Sequence, residues 1–256
     1  MAAHLPALAL VPVMALAAAC AGSTADEDDG ATLSVYAASS LTAPFEELAG
    51  TYESEHEGVE VALTFGGSSD LVAQIDQGAP ADVVATADEG TMGDLVASGL
   101  VDAPRPFASN TLQVVVPTDN PAGVQRFEDL ADPDVRLVVC APAVPCGAAT
   151  QQLAEAVGVS LQPVSEEQAV SDVLGKVRTG EADAGVVYVT DVVAAGDDVR
   201  SIEVPEAADV VNVYPVTRLT DSDETDLAEG FVDLVVSATG QAVLADHGFG
   251  PSPAQP

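Results

Sequence analysis

The chain has 256 residues, 48% of them hydrophobic, few aromatic and none Trp, which is enough for a real core in one large or two smaller lobes. Seven Lys or Arg stand against forty-one Asp or Glu, a formal net charge of −34, and this argues against nucleic acid and anionic membrane surfaces as partners. Lys176 is the single lysine, and the acidity reads first as a solvated, soluble surface.

Residues 5–19 are almost entirely apolar, carry no acid or base, and are too short to span a bilayer comfortably. They read as the core of a secretory signal over 1–19, closing with Ala17-Ala18-Ala19 before Cys20. An A-x-A signal and a lipoprotein signal would be cut at the same bond. Cys at the first mature position favours lipidation of Cys20, although Leu16 stands one place ahead of the usual lipobox leucine and no Lys or Arg precedes the run. Residues 20–31, "CAGSTADEDDGA", are small and acidic, an expected tether. The expected location is outside the cytoplasm, lipid-anchored on the outer face of the cell membrane or periplasmic.

From residue 33, β-like runs alternate with helical ones. Strands are expected over 33–38, 59–65, 83–86, 111–117, 136–140, 184–189 and 210–216, and helices over 41–52, 69–77, 90–98, 147–156, 166–179 and 223–238. This alternation argues for α/β architecture with parallel sheets. The long runs "NTLQVVVP" and "NVYPVTRL" suit two chain crossings between lobes. Residues 251–256 are expected to form a disordered tail.

The chemistry gathers where strands meet helices. "SVYAASSLTAPFEELAGTYE" places Ser39 and Ser40 between an apolar run and an amphipathic helix, and "VALTFGGSSDLVAQI" repeats the arrangement with Gly66-Gly67-Ser68-Ser69. Gly permits close backbone approach and Ser caps helices. A helix start presents free N–H groups and a positive dipole end, so it can hold an anion without a charged side chain. Read blandly, each Ser merely caps. "VPCGAATQQLAEA" is a third junction, and Tyr188 in "GVVYVTD" closes a strand at the end where α/β sheets bind ligands.

With Cys20 lipidated, Cys140 and Cys146 remain as an even pair in an oxidising place. A disulfide across "APAVP" would contribute roughly 2 kcal/mol by loop entropy, whereas two Cys without a nearby His make a poor metal site. Enzymatic motifs are missing: no G-x-S-x-G, G-x-x-x-x-G-K or HExxH occurs, and His56 and His247 read as surface or turn residues. A secreted serine hydrolase using Ser40 or Ser68 stays as a remote alternative, and a structural lipoprotein as another.

Taken together, "VYAASSLTAPFEEL", "FGGSSDLVAQIDQGAPADVVATAD", "VPCG", "GEADAGVVYVTD" and "GQAVLADHGFG" resemble the molybdate-binding proteins of ABC transporters, from about residue 33 to 250. The resemblance implies a two-lobed type II periplasmic binding protein-like fold, each lobe a mainly parallel sheet flanked by helices, over a two-strand hinge. Lobe 1 would span 32–112 and 214–250, and lobe 2 would span 113–213. It implies an oxyanion held by the hydroxyls of Ser40, Ser68 and Tyr188 and by the backbone N–H groups of Cys146 and Val170. It further implies a monomer that is no enzyme, has no cofactor, and delivers molybdate or tungstate to a membrane permease. Sulfate or thiosulfate is the alternative ligand. Hydrogen phosphate carries a proton and would want an acceptor, for which Asp70 is the nearest candidate.

Overall fold

Leu33, Val35 and Ala37 alternate along the first strand and are fully buried, the period-two pattern of a strand covered on one face. The computed structural model describes residues 30–252; the signal at 1–19, Cys20, tether residues up to 29 and tail residues 253–256 lie outside the described residues. The first lobe runs β1 (Thr32–Ala38), α1 (Thr42–Glu55), β2 (Glu60–Gly66), α2 (Ser68–Asp76), β3 (Val83–Ala85), α3 (Glu89–Ala97) and β4 (Arg105–Asn110). The chain then crosses at Thr111 into β5 (Leu112–Pro117), β6 (Leu137–Cys140), α4 (Pro145–Val157), β7 (Ser165–Glu167), α5 (Val170–Arg178), β8 (Ala184–Tyr188), α6 (Val189–Ala195) and β9 (Val199–Ile202). Residues 203–211 return it to β10 (Asn212–Arg218), α7 (Thr225–Val236), α8 (Ala238–Asp246) and β11 (Gly250–Pro251).

Two sheets result, ordered β11-β4-β10-β3-β1-β2 and β7-β6-β8-β5-β9. Most strands of each sheet run the same way, as expected, with antiparallel strands inserted. β1 pairs parallel with β2 and β3, and β6 with β7 and β8, but β10 is antiparallel to both β3 and β4, and β5 to both β8 and β9. The reason is the crossings. A strand that arrives from the other lobe enters its sheet at the edge where the parallel strands end, so it must run against them. "NVYPVTRL" is therefore no crossing strand itself; it lies inside the first sheet, and residues 203–211 make the return.

Three further differences have local causes. The run 166–179 is not one helix, because Ser165–Glu167 pairs with β6 as an edge strand and the helix starts at Val170. The run 223–238 breaks at Ser237, whose extended backbone and hydroxyl cap α8 by accepting from Gly240 N–H at 3.2 Å. Pro251 is held as well: it pairs with Ala108, and its carbonyl accepts from Ser109 Oγ at 2.8 Å.

Packing under the first sheet is aromatic. Phe45 of α1 lies 6.0 Å from Phe107 of β4 and 5.9 Å from Phe231 of α7, ring centre to ring centre, which ties the returning chain to the N-terminal part of the lobe. In the second lobe Cys140, at the end of β6, is bridged to Cys146 in the first turn of α4. Gly147 completes that joint, since a Cβ there would stand 1.8 Å from Ala141 O. Reduction of this bridge is expected to lower the unfolding free energy by about 2 kcal/mol, read as a shift in denaturation midpoint with and without reductant; an unchanged midpoint would show that the bridge stabilises nothing.

Candidate functional site

A strand that turns at once into a helix leaves the helix's first N–H groups at the strand's carboxyl end, without intrahelical acceptors. Around one small cavity this happens four times. Ser40 sits on the 3-10 turn Ser39–Leu41 between β1 and α1, and Ser68 opens α2. Cys146 is in the first turn of α4, and Val170 opens α5. Tyr188, the last residue of β8, closes the set. All five line one narrow cavity of about 10 Å³, the first lobe contributing two of them and the second lobe three.

The lining contains no Lys, Arg or His and no Asp or Glu. Asp70, the acceptor candidate from the sequence, is exposed and does not line it. His56 and His247 are also elsewhere: His56 Nδ1 lies 2.8 Å from Tyr52 O, and His247 Nε2 lies 3.1 Å from Glu47. Among the described residues neither histidine reaches Ser40 or Ser68.

The hydroxyls are arranged to give protons outward. Ser68 Oγ accepts from Ala87 N–H at 3.0 Å, which occupies a lone pair and leaves its proton free. Ser40 Oγ lies 3.1 Å from Tyr214 Oη. Tyr188 Oη is the one buried side-chain polar atom without a hydrogen-bond partner among the described residues, a costly arrangement unless something in the cavity accepts from it. Burial above all holds the Tyr188 phenol well above its ordinary value, so it stays a donor at neutral pH.

The lobes meet at this place. Ser69 Oγ of the first lobe donates to Ala143 O of the second at 3.0 Å. Gly67 is required by the same approach, because a Cβ there would stand 2.1 Å from Gln168 O of the second lobe. The sequence pointed to Gly66-Gly67 as a place of close approach, but gave no sign of the opposing carbonyl.

A chain of this architecture matches the family described as bacterial extracellular solute-binding protein over residues 33–250. The chain belongs to that family. Among individual relatives of this solute-binding protein, the molybdate-binding protein ModA of Mycobacterium tuberculosis is 42% identical over 231 residues, covering 90% of this chain and 88% of the relative. ModA of Escherichia coli is 30% identical over 236 residues, covering 86% and 90%. In fold the solute-binding protein is similar to the periplasmic molybdate-binding protein of Azotobacter vinelandii, with a TM-score of 0.75 at 23% identity over 87% of this chain and 100% of that one.

Tyr214, Asn110 and Asp191 support the site and were not singled out in the sequence. Asp191 is buried in the first turn of α6, its carboxylate accepting from Tyr188 N–H at 2.9 Å, and burial pushes its pKa up to about 7. Below about pH 4 the group is protonated whether the chain is folded or not. From there to about 7 the unfolded chain releases a proton that the folded chain keeps, so this group's contribution to stability falls as pH rises and levels off above 7. Relative to wild type, Asp191→Asn is therefore expected to gain on the order of 4 kcal/mol of stability between pH 4 and 7, measured by denaturant titration; a pH-independent difference would contradict the buried carboxyl. Gly67→Ala is expected to leave the unfolding temperature of the ligand-free protein unchanged while weakening ligand affinity about tenfold or more, by obstructing the approach of the lobes; unaltered affinity would show that Gly67 and Gln168 need not meet.

Proposed function

We propose that this chain captures molybdate outside the cytoplasm and delivers it to an ABC import permease, tungstate being an equivalent cargo. The hydroxyls of Ser40, Ser68 and Tyr188 and the N–H groups of Cys146 and Val170 hold the oxyanion. The unpartnered Tyr188 hydroxyl, in a cavity lined by hydroxyls and helix starts and by no charged side chain, is the observation that carries this reading. Identity to molybdate-binding relatives over most of the chain supports it.

The energetics suffice without a cationic side chain. A hydrogen bond to a charged group is worth about 1.5–3 kcal/mol, so five give on the order of 8–15 before ordering costs. Micromolar affinity needs about 8. Because donors come from both lobes, the bound anion favours the closed form, and the closed form is what a permease recognises. Lipid on Cys20 keeps the protein at the outer face of the cell membrane, the acidic segment 20–31 serving as tether and the monomer as the working unit.

Selectivity follows from proton count. Molybdate, tungstate and sulfate carry no proton near neutral pH, whereas hydrogen phosphate carries one and finds no carboxylate in the wall. Calorimetry on the purified protein at pH 7.5 is expected to show molybdate and tungstate binding at micromolar Kd or tighter and phosphate at least about a hundredfold weaker. Ser68→Ala is expected to weaken molybdate about tenfold or more. Phosphate binding as tightly as molybdate would overturn the assignment.

A further inference from the structure

A serine hydroxyl is not a donor by nature: it has one proton and two lone pairs and can turn either way. At Ser68 the backbone takes up one lone pair, since Ala87 N–H, which cannot accept, points at Oγ and favours an outward proton. Ser40 has no such backbone partner. Its Oγ faces Tyr214 Oη at 3.1 Å, a pair in which either oxygen could donate.

The direction is set one step further back. Asn110 Oδ1 accepts from Thr111 N–H at 3.0 Å, which fixes the amide so that its NH₂ faces Thr190 Oγ1 at 2.8 Å and Tyr214 Oη at 3.5 Å. An amide nitrogen only donates. With Asn110 donating to Tyr214 Oη, the arrangement that uses each group once sends the Tyr214 proton to Ser40 Oγ and turns the Ser40 proton into the cavity. Tyr214 is fully buried, and burial holds its phenol above the ordinary value, so the proton it passes on is present at neutral pH. Asn110 is the last residue of β4, at the crossing, and Thr190 belongs to the second lobe. The orientation of a hydroxyl in one lobe is thus anchored on the other.

We propose that Asn110 and Tyr214 are positioning residues that turn Ser40 toward donating into the cavity and so favour an oxyanion without a proton. The inference rests on the oxyanion reading above and adds the origin of its selectivity. Without the Tyr214 hydroxyl, Ser40 is free to turn a lone pair toward the cavity and accept from a protonated oxygen.

Tyr214→Phe removes only the hydroxyl and keeps the ring against Phe249 and Phe107, whose centres lie 5.3 and 6.3 Å away. Calorimetry with molybdate and with phosphate on wild type, Tyr214→Phe, Ser40→Ala and the double variant tests the chain of command. Tyr214→Phe is expected to weaken molybdate about five- to tenfold while phosphate holds or improves, and to cost nothing further in the Ser40→Ala background. A full repeat of the loss in that background, an equal loss for both anions, or no loss at all would overturn the inference while leaving the oxyanion reading intact. Wild type that binds neither anion would overturn the reading itself and the inference with it. Asn110→Asp serves if Tyr214→Phe does not fold: an acceptor at 110 draws the Tyr214 proton away from Ser40, so the preference for molybdate over phosphate narrows, and an unchanged preference overturns the proposal.

Discussion

Everything in this molecule turns on the convergence of uncharged donors at the ends of helices. A chain with formal net charge −34 should repel a dianion, yet it presents a cavity walled by hydroxyls and first-turn N–H groups. The two effects act over different ranges. Repulsion from surface carboxylates is screened beyond about 8 Å at physiological salt, while a donor acts at contact, in surroundings from which water is largely excluded. Local dipoles therefore decide affinity, and the acidic shell decides solubility and the rate of approach.

The topology exists to bring those dipoles together. In each sheet the parallel strands end at the same edge, and each ends in a turn that starts a helix. Crossing the chain twice between the sheets sets the two edges face to face. The antiparallel strands β5 and β10 are the cost of this arrangement, and they also supply its supports: Leu112 pairs with Tyr188 at the start of β5, and Tyr214 lies within β10. Close contact at the seam then demands a residue with no side chain, which is what Gly67 provides against Gln168 O.

The parts of this plan that are local could be read from the sequence. Apolar runs broken by Ser-Ser, Gly-Gly-Ser or Pro-Cys-Gly mark strand-to-helix junctions, and Tyr188 closes an apolar strand, whereas the choice of Ser40 and Ser68 within their pairs, and Val170 altogether, came from the family resemblance; all five line one cavity. Strands such as "RPFASN" and "SEE" escaped because Pro and polar residues blur the period, and their pairing comes from neighbours far away in the chain. The start of α5 at Val170 depends on that same hidden strand, since only the pairing of Ser165–Glu167 with β6 delays the helix. Tyr214 and Asn110 carried no local signal at all. A tyrosine in an apolar strand and an asparagine at a strand end are ordinary residues, and only the crossing places Asn110 between Thr190 and Tyr214.

That difference separates two kinds of specificity. Charge and size recognition can be built from residues that touch the ligand, and such residues tend to sit in recognisable junctions. Recognition of a missing proton cannot, because hydroxyls are indifferent to direction until something behind them takes a side. A wall of backbone N–H groups would have solved the problem outright, but geometry allows only so many helix starts around one small anion. The remaining positions fall to Ser and Tyr, and each then needs a partner that can only donate: Ala87 N–H behind Ser68, and the Asn110 amide acting through Tyr214 behind Ser40. Tyr188 is the exception: its buried hydroxyl has no hydrogen-bond partner among the described residues, which leaves its proton for an acceptor in the cavity.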